Sequence, residues 1–152
     1  MPILKNLKQH KLLLDTHVWL WVMLGSSFLK KEFVLVVEKK LKTQGVFISP
    51  MSIWEIGMLV EKKRIEIEMD VLDWVNQALE VPGINLCPLT PRIAVQSTRL
   101  PGNVHGDPVD RLLIATAYEE SAILVTCDKK IIEFGAGRWI GVFDPRGYTQ
   151  TT

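Results

Sequence analysis

The sequence predicts an α/β domain with a mainly parallel sheet of about five strands, covered by helices on both faces. Five short β-rich runs punctuate the chain, "KLLLD", "VFIS", "INLCPL", "AILVT" and "WIGVF". The stretches between them are longer and carry helical periodicity, which is the pattern of strands joined by helical crossovers. No internal repeat, low-complexity segment or linker interrupts the alternation, so 152 residues read as a single domain. A chain of that size buries roughly two thirds of its unfolded surface.

The first run, from Lys11, ends in a carboxylate, Asp15, in the middle of one of the most apolar stretches of the chain. An unpaired charge there costs several kcal/mol to desolvate, so Asp15 demands a partner. If the strand continues, His17 points to the opposite face from Thr16. Next, "SSFLKKEFVLVVEKKLKTQG" puts Leu29, Phe33, Val36, Val37 and Leu41 on one helical face, with Gly45 as a stop. Lys30, Lys31, Lys39, Lys40 and Lys42 line its polar side. After "VFIS", the segment "SPMSIWEIGML" opens with Ser52 and Glu55 in S-x-x-E capping-box spacing.

"DVLDWVNQALEVPG" reads as a helix with Asp70 at its N-cap, closing before Pro82 and Gly83. "TPRIAVQSTRLPG" places Thr90 at an N-cap and Pro91 at the first helical position. The irregular loop "LPGNVHGDP" leads into "DPVDRLLIATAYEE", where Asp107 is an N-cap, Pro108 follows, and Asp110 favours the helix dipole. Asp128 follows "AILVT" and on its own starts a turn before Lys129 and Lys130.

Composition excludes several classes. Apolar residues at 47% and charged ones at 23% suit a soluble globular protein and are too hydrophobic for disorder. With 18 basic and 17 acidic side chains the net charge is +1, which points neither to a nucleic-acid binder by bulk charge nor to an acidic tail. Cys87 and Cys127 stand far apart, with no disulfide framework or zinc spacing, as in a cytosolic protein. Asp15 and His17 interrupt the apolar N-terminal segment, and no small-residue cleavage site follows, so neither an exported nor a membrane protein is expected. The five Trp leave room for a subunit interface.

In a parallel sheet, residues just after the strands meet at one edge. That places Asp15 and Asp128 together and brings the early helical turns carrying Glu55 and Asp110 towards them. Each acid has a structural reading as a cap or turn former. Jointly, close carboxylates raise one another's pKa values unless cations neutralise them. Oxygen-only donors suit Mg²⁺ or Mn²⁺, which can activate water and offset charge on a phosphodiester.

Four segments in order, "LLLDTHVWLW", "ISPMSIWEIGML", "HGDPVDRLLIATA" and "LVTCDKKI", resemble the acidic motifs of PIN-domain ribonucleases, in particular VapC-type toxins of bacterial toxin–antitoxin pairs. The likeness runs from about Lys11 to about Phe143 and leaves residues 1–10 as an extension without counterpart. It implies a PIN-like three-layer α/β/α fold and a cytoplasmic, metal-dependent endoribonuclease in which water activated by Mg²⁺ or Mn²⁺ hydrolyses RNA.

The resemblance further implies metal-binding or catalytic roles for Asp15, Glu55, Asp110 and Asp128, with Asp107 accessory. Thr126 would orient Asp128, and Arg111 and His105 would serve substrate or neighbouring carboxylates. Where the family commonly has a basic residue, this chain has Cys127. Further implications are a homodimer and a cognate antitoxin that docks on Met58, Leu59 and Ile65 and on the helix spanning 27–43.

Two other readings remain at this stage. One is a catalytically weak PIN domain that binds a partner protein. The other is a phosphatase with Asp15 as nucleophile, although Thr16 and His17 break the D-x-D pattern. The lysine-rich helix and the "EKKR" turn read as solvated faces that could also attract phosphate. Trp19, Trp21, Trp54 and Trp74 read as core or interface rather than base-stacking platforms.

Overall fold

The computed structural model describes residues 7–102, 104 and 106–147. Five strands, β1 (Lys11–Leu14), β2 (Val46–Ile48), β3 (Ile84–Leu86), β4 (Ala122–Val125) and β5 (Gly141–Phe143), form one sheet in the order β3-β2-β1-β4-β5. Every pairing is parallel, with Leu14 opposite both Ile48 and Val125. The carboxyl ends of the three central strands therefore finish flush.

Parallel neighbours require crossovers, and helices supply them. Between β1 and β2 run α1 (Thr16–Leu24) and α2 (Lys31–Leu41). Between β2 and β3 run α3 (Pro50–Glu61) and α4 (Val71–Glu80). The connection to β4 carries α5 (Pro91–Gln96) and α6 (Pro108–Glu119), and α7 (Lys129–Gly135) leads to β5.

Strand alternation divides the core in two. Leu12, Leu14, Val46, Ile48 and Val125 pack with Val18, Trp19, Phe33, Val37, Ile56 and Ala78 from α1 to α4. Leu13, Ala122 and Leu124 face the other way, onto Ile93, Val109, Leu113, Ile114 and Ile131 from α5 to α7. Two cores on opposite faces of one sheet make three layers, as the sequence predicts. No helix among the described residues is long and apolar enough to cross a membrane.

Caps account for many of the boundaries. The side chains of Asp70 and Thr90 accept from backbone N–H groups of their first turns, as expected from the sequence. Gly83 adopts φ +91°, and a Cβ there would lie 2.2 Å from the Leu41 carbonyl oxygen, so the turn into β3 is restricted to glycine.

Three local expectations give way. The chain does not continue as a strand past Asp15 but turns into α1, whose first residue is Thr16, leaving His17 exposed. Ser52 is not the cap of α3; Ser49 is, accepting from the Met51 N–H, because Pro50 takes the first helical position. Lys40 is buried rather than solvated, with Nζ donating to the His10 carbonyl and to Gln44 Oε1. Burial lowers its pKa.

Candidate functional site

The strand order reverses direction between β1 and β4, the place where open parallel sheets bind ligands at their carboxyl ends. Asp15 leaves β1 at that point, and its N–H donates to the Val125 carbonyl at 2.9 Å, extending the ladder by one bond. The same residue caps α1, with Oδ1 accepting from the Thr16 N–H at 2.6 Å. Oδ2 accepts from the Thr126 hydroxyl at 2.6 Å. The partner demanded by the sequence is thus, within the chain, a cap and a threonine.

Thr126 sits one residue beyond β4 and is fully buried. Its oxygen also accepts from the Asp128 N–H at 2.9 Å. The hydroxyl therefore orients the carboxylate of Asp15, whereas Asp128 is engaged through its backbone. The resemblance implied the carboxylate of Asp128 as the one oriented; the hydroxyl instead donates to Asp15. On the other side, the Thr16 hydroxyl donates to Ser52 Oγ at 3.0 Å, pinning α1 to α3 beneath Glu55.

Asp15 is 8% exposed. Burial raises its pKa, the bonds from Thr126 and Thr16 oppose the rise, and the negative charge of Glu55 adds to it. The net effect is a carboxyl held above its ordinary range, a position that calls for positive charge.

The remaining acids are carried by three helices, Asp107 and Asp110 sharing one of them. Glu55 lies in α3 and is half-buried. Asp107 caps α6, with Oδ1 accepting from Val109 and Asp110 N–H groups, and lines a hollow of about 470 Å³ together with Glu55. Asp110 is half-buried in the first turn of α6. Asp128 caps α7, with Oδ1 accepting from Lys130 and Ile131 N–H groups. Among the described residues, Oδ2 of Asp107 and Oδ2 of Asp128 accept no hydrogen bond.

The donor set is all oxygen and suits a hard cation. Even so, among the described residues no group of three or more His, Cys, Asp or Glu is arranged to hold a metal ion. The structure brings Asp15 and Glu55 into each other's field and sets Asp107 beside Glu55.

Arg111 donates through Nε to the Ser97 carbonyl at 2.9 Å and through Nη1 to that of Val104 at 3.2 Å, bracing the loop before α6. His105 lies outside the described residues. Two residues that sequence reasoning missed adjoin Cys127. Asp144 accepts from the Cys127 thiol at 3.5 Å and from Arg146, whose Nη2 also donates to the Cys127 carbonyl at 3.3 Å. Burial, reinforced by Asp144, pushes the thiol up to about 12. Burial also works against the charge on Asp144, but the bonds from Arg146 outweigh it and hold the carboxyl below its ordinary range. A cation thus stands at this edge, brought by the segment after β5 rather than by position 127 itself; D-P-R at 144–146 was the available signal.

Comparison with known proteins agrees with this architecture. Residues 12–137 match the family model described as PIN domain. The chain is 32% identical over 119 residues to Ribonuclease VapC22 of Mycobacterium tuberculosis, a stretch covering 78% of this chain and 88% of that protein. Among solved structures, VapBC2 from Rickettsia felis, bound to a DNA fragment from its promoter, superposes with a TM-score of 0.62 at 18% identity. That match covers 86% of this chain and 96% of the other. FitAcB from Neisseria gonorrhoeae gives 0.59 at 19%, covering 90% and 99%. The structural matches speak for the fold, and the family model spans the strands and caps that carry Asp15, Glu55, Asp107, Asp110 and Asp128: the chain belongs to the PIN-domain family.

Proposed function

We propose that the protein is an endoribonuclease toxin of the VapC type that depends on a divalent cation, Mg²⁺ or Mn²⁺. The observation that carries the reading is Asp15, a buried carboxylate with a raised pKa, aimed by Thr126 at the sheet's switch point and lying in the field of Glu55. Identity to Ribonuclease VapC22 along most of the chain supports the choice of RNA. Asp15, Glu55, Asp110 and Asp128 are the residues that would hold the ion, with Asp107 accessory. Bound there, a divalent cation supplies the charge that eases water deprotonation and offsets the charge developing on the phosphodiester.

The chain's own part is positional. Thr126 fixes the rotamer of Asp15 and, through its bond from the Asp128 N–H, ties the ends of β1 and β4 together. The capping bonds of Asp107 and Asp128 each engage Oδ1, which leaves Oδ2 without a hydrogen bond among the described residues. Burial keeps water from screening the charge of Asp15.

The neighbouring VapBC and FitAB assemblies support a protein partner, and we assign that role to a cognate antitoxin. Ile65 packs against the first core, while Met58 and Leu59 line the hollow beside Glu55. A homodimer in the cytoplasm completes the reading.

The test is cleavage of single-stranded RNA by the purified protein with Mg²⁺ or Mn²⁺ and its loss in excess EDTA. Undiminished cleavage in EDTA would sink the metal-dependent mechanism. The lack of a three-ligand group among the described residues favours one rival, a PIN domain that binds protein and cleaves poorly. Stable capture of the antitoxin together with no metal-stimulated cleavage would establish that rival.

A further inference from the structure

Trp54 is 54% exposed, which removes the core half of its core-or-interface reading. It stands on α3 immediately before Glu55 and lines the hollow of about 470 Å³ that Glu55 and Asp107 also border. The far end of the hollow is cationic, formed by Lys62 and Arg64. Trp54, Met58 and Lys62 recur every four residues, so one stripe of α3 runs from an aromatic ring over a thioether to an ammonium group. From Glu55 to Lys62 is seven residues, about 10 Å along the helix axis.

We propose that this hollow is the subsite for a nucleotide of single-stranded RNA next to the bond that is cut. The base would stack on Trp54 and the following phosphate would meet Lys62 and Arg64, while Glu55 and Asp107 face the cleaved bond. The assignment rests on the ribonuclease reading and specifies how that same site holds its substrate.

Three features select RNA over a protein segment. The hollow is continuous with the acidic edge, because Glu55 and Asp107 belong to both. Its charge is graded, with anions where a cation would sit and cations where the backbone must leave. The exposed ring offers a stacking face, which binds any unstacked base and requires a single strand, since bases in an A-form duplex are already stacked. Stacking without hydrogen-bond readout gives affinity with little sequence preference, so sequence choice would have to arise elsewhere.

Two measurements on the full-length protein test the assignment. The first is binding of a short, mixed-sequence oligoribonucleotide in excess EDTA, where no metal-activated water is available to cut it and binding is read without turnover. Trp54→Ala should weaken it roughly 5- to 100-fold, Trp54→Phe should restore most of the loss, and Asp15→Asn should still bind. Lys62→Gln with Arg64→Gln should flatten the dependence of log affinity on log salt by about 0.7 for each phosphate that is no longer neutralised.

The second measurement is cleavage kinetics, in which Trp54→Ala should raise KM while kcat stays within roughly threefold. If affinity, KM and salt slope are all unchanged while metal-dependent cleavage persists and Asp15→Asn abolishes it, the subsite is refuted and the ribonuclease reading stands. If no variant alters RNA binding but Trp54→Ala releases a co-expressed antitoxin, the hollow is a protein-docking site and the assignment is likewise overturned. Absence of cleavage in every variant, with oligonucleotide binding still dependent on Trp54, would leave the subsite intact and refute the catalytic reading.

Discussion

Asp15→Asn separates the catalytic role proposed for this carboxylate from its structural work, because the two respond in opposite directions. The change removes the charge but almost none of the shape. Asn Oδ1 can still accept from the Thr16 N–H, while Nδ2 faces the Thr126 hydroxyl, which can reverse its proton and accept. The loss is one charge-assisted hydrogen bond, about 1.5–3 kcal/mol. The gain is relief of a charge buried to 8% exposure, with an effective desolvation penalty of several kcal/mol.

The metal-free variant should therefore be as stable as the wild type or up to about 2 kcal/mol more stable at pH 7. At roughly 2–4 °C per kcal/mol for a chain of this size, the melting point rises by up to about 8 °C. Folded Asp15 holds its proton more tightly than the unfolded chain does. Wild-type stability in EDTA consequently falls as pH rises from about 4 through the raised folded value, and the penalty is complete above it. Asparagine does not titrate, so the advantage of the variant vanishes near pH 4 and grows as pH rises through the folded value. The assay is thermal melting in EDTA across pH 4 to 8, paired with RNA cleavage in Mg²⁺, which should drop by orders of magnitude. A variant that melted well below the wild type at neutral pH, or that cleaved normally, would refute the reasoning.

Further outcomes follow from neighbouring geometry. Thr126→Val deletes the donor to Asp15 and should cut activity about 10- to 100-fold and raise the metal concentration needed, whereas Thr126→Ser should retain both; equal activity in Val and Ser would remove the hydroxyl from the mechanism. The Cys127 thiol, pushed up to about 12, should resist iodoacetamide at pH 8 in the folded protein and react on unfolding, as mass spectrometry would show. Gly83→Ala, which combines a left-handed φ with a Cβ 2.2 Å from the Leu41 carbonyl, should lose more than about 2 kcal/mol in urea unfolding; a loss under about 0.5 would contradict the close approach. Arg146→Ala removes a half-exposed ion pair and should cost no more than about 1 kcal/mol of stability.

How far the fold could be read from the sequence varied with the kind of signal each element carries. The five β-rich runs and the amphipathic helix α2 declare themselves by composition and period, and the structure places each of them within a few residues. Helix α1 does not, because "THVWLWVML" is apolar on nearly every side. A helix whose residues are nearly all apolar has no polar face for periodicity to detect, so its start at Thr16 is not visible in the sequence. Ser52 misled for a different reason: S-x-x-E spacing cannot reveal that Pro50 has already taken the first helical position. Trp54 reads from the sequence as core or interface, and its 54% exposure excludes only the core. Asp144 and Arg146 carry a local D-P-R signal, but it cannot show their place beside Cys127, which depends on β5 lying beside β4.

The acids raise a sharper question, because several of them also serve as caps. Asp15, Asp107 and Asp128 are the N-caps of α1, α6 and α7. Taken one at a time, each cap is a sufficient structural explanation. The two roles do not compete, however, because a capping carboxylate at the carboxyl edge of a parallel sheet is already where a ligand would bind. Its bond to backbone N–H groups fixes the rotamer, and the helix dipole favours its charge. For Asp107 and Asp128 that bond engages one oxygen and leaves the other without a hydrogen bond among the described residues. Asp15 differs in that both oxygens are bonded and the residue is buried, so capping alone leaves its charge poorly compensated. A purely structural cap at that position would be served as well by asparagine or serine, which carry no charge to bury. The retained charge is what the structural account leaves unexplained, and the response of Asp15→Asn is the measurement that separates the two.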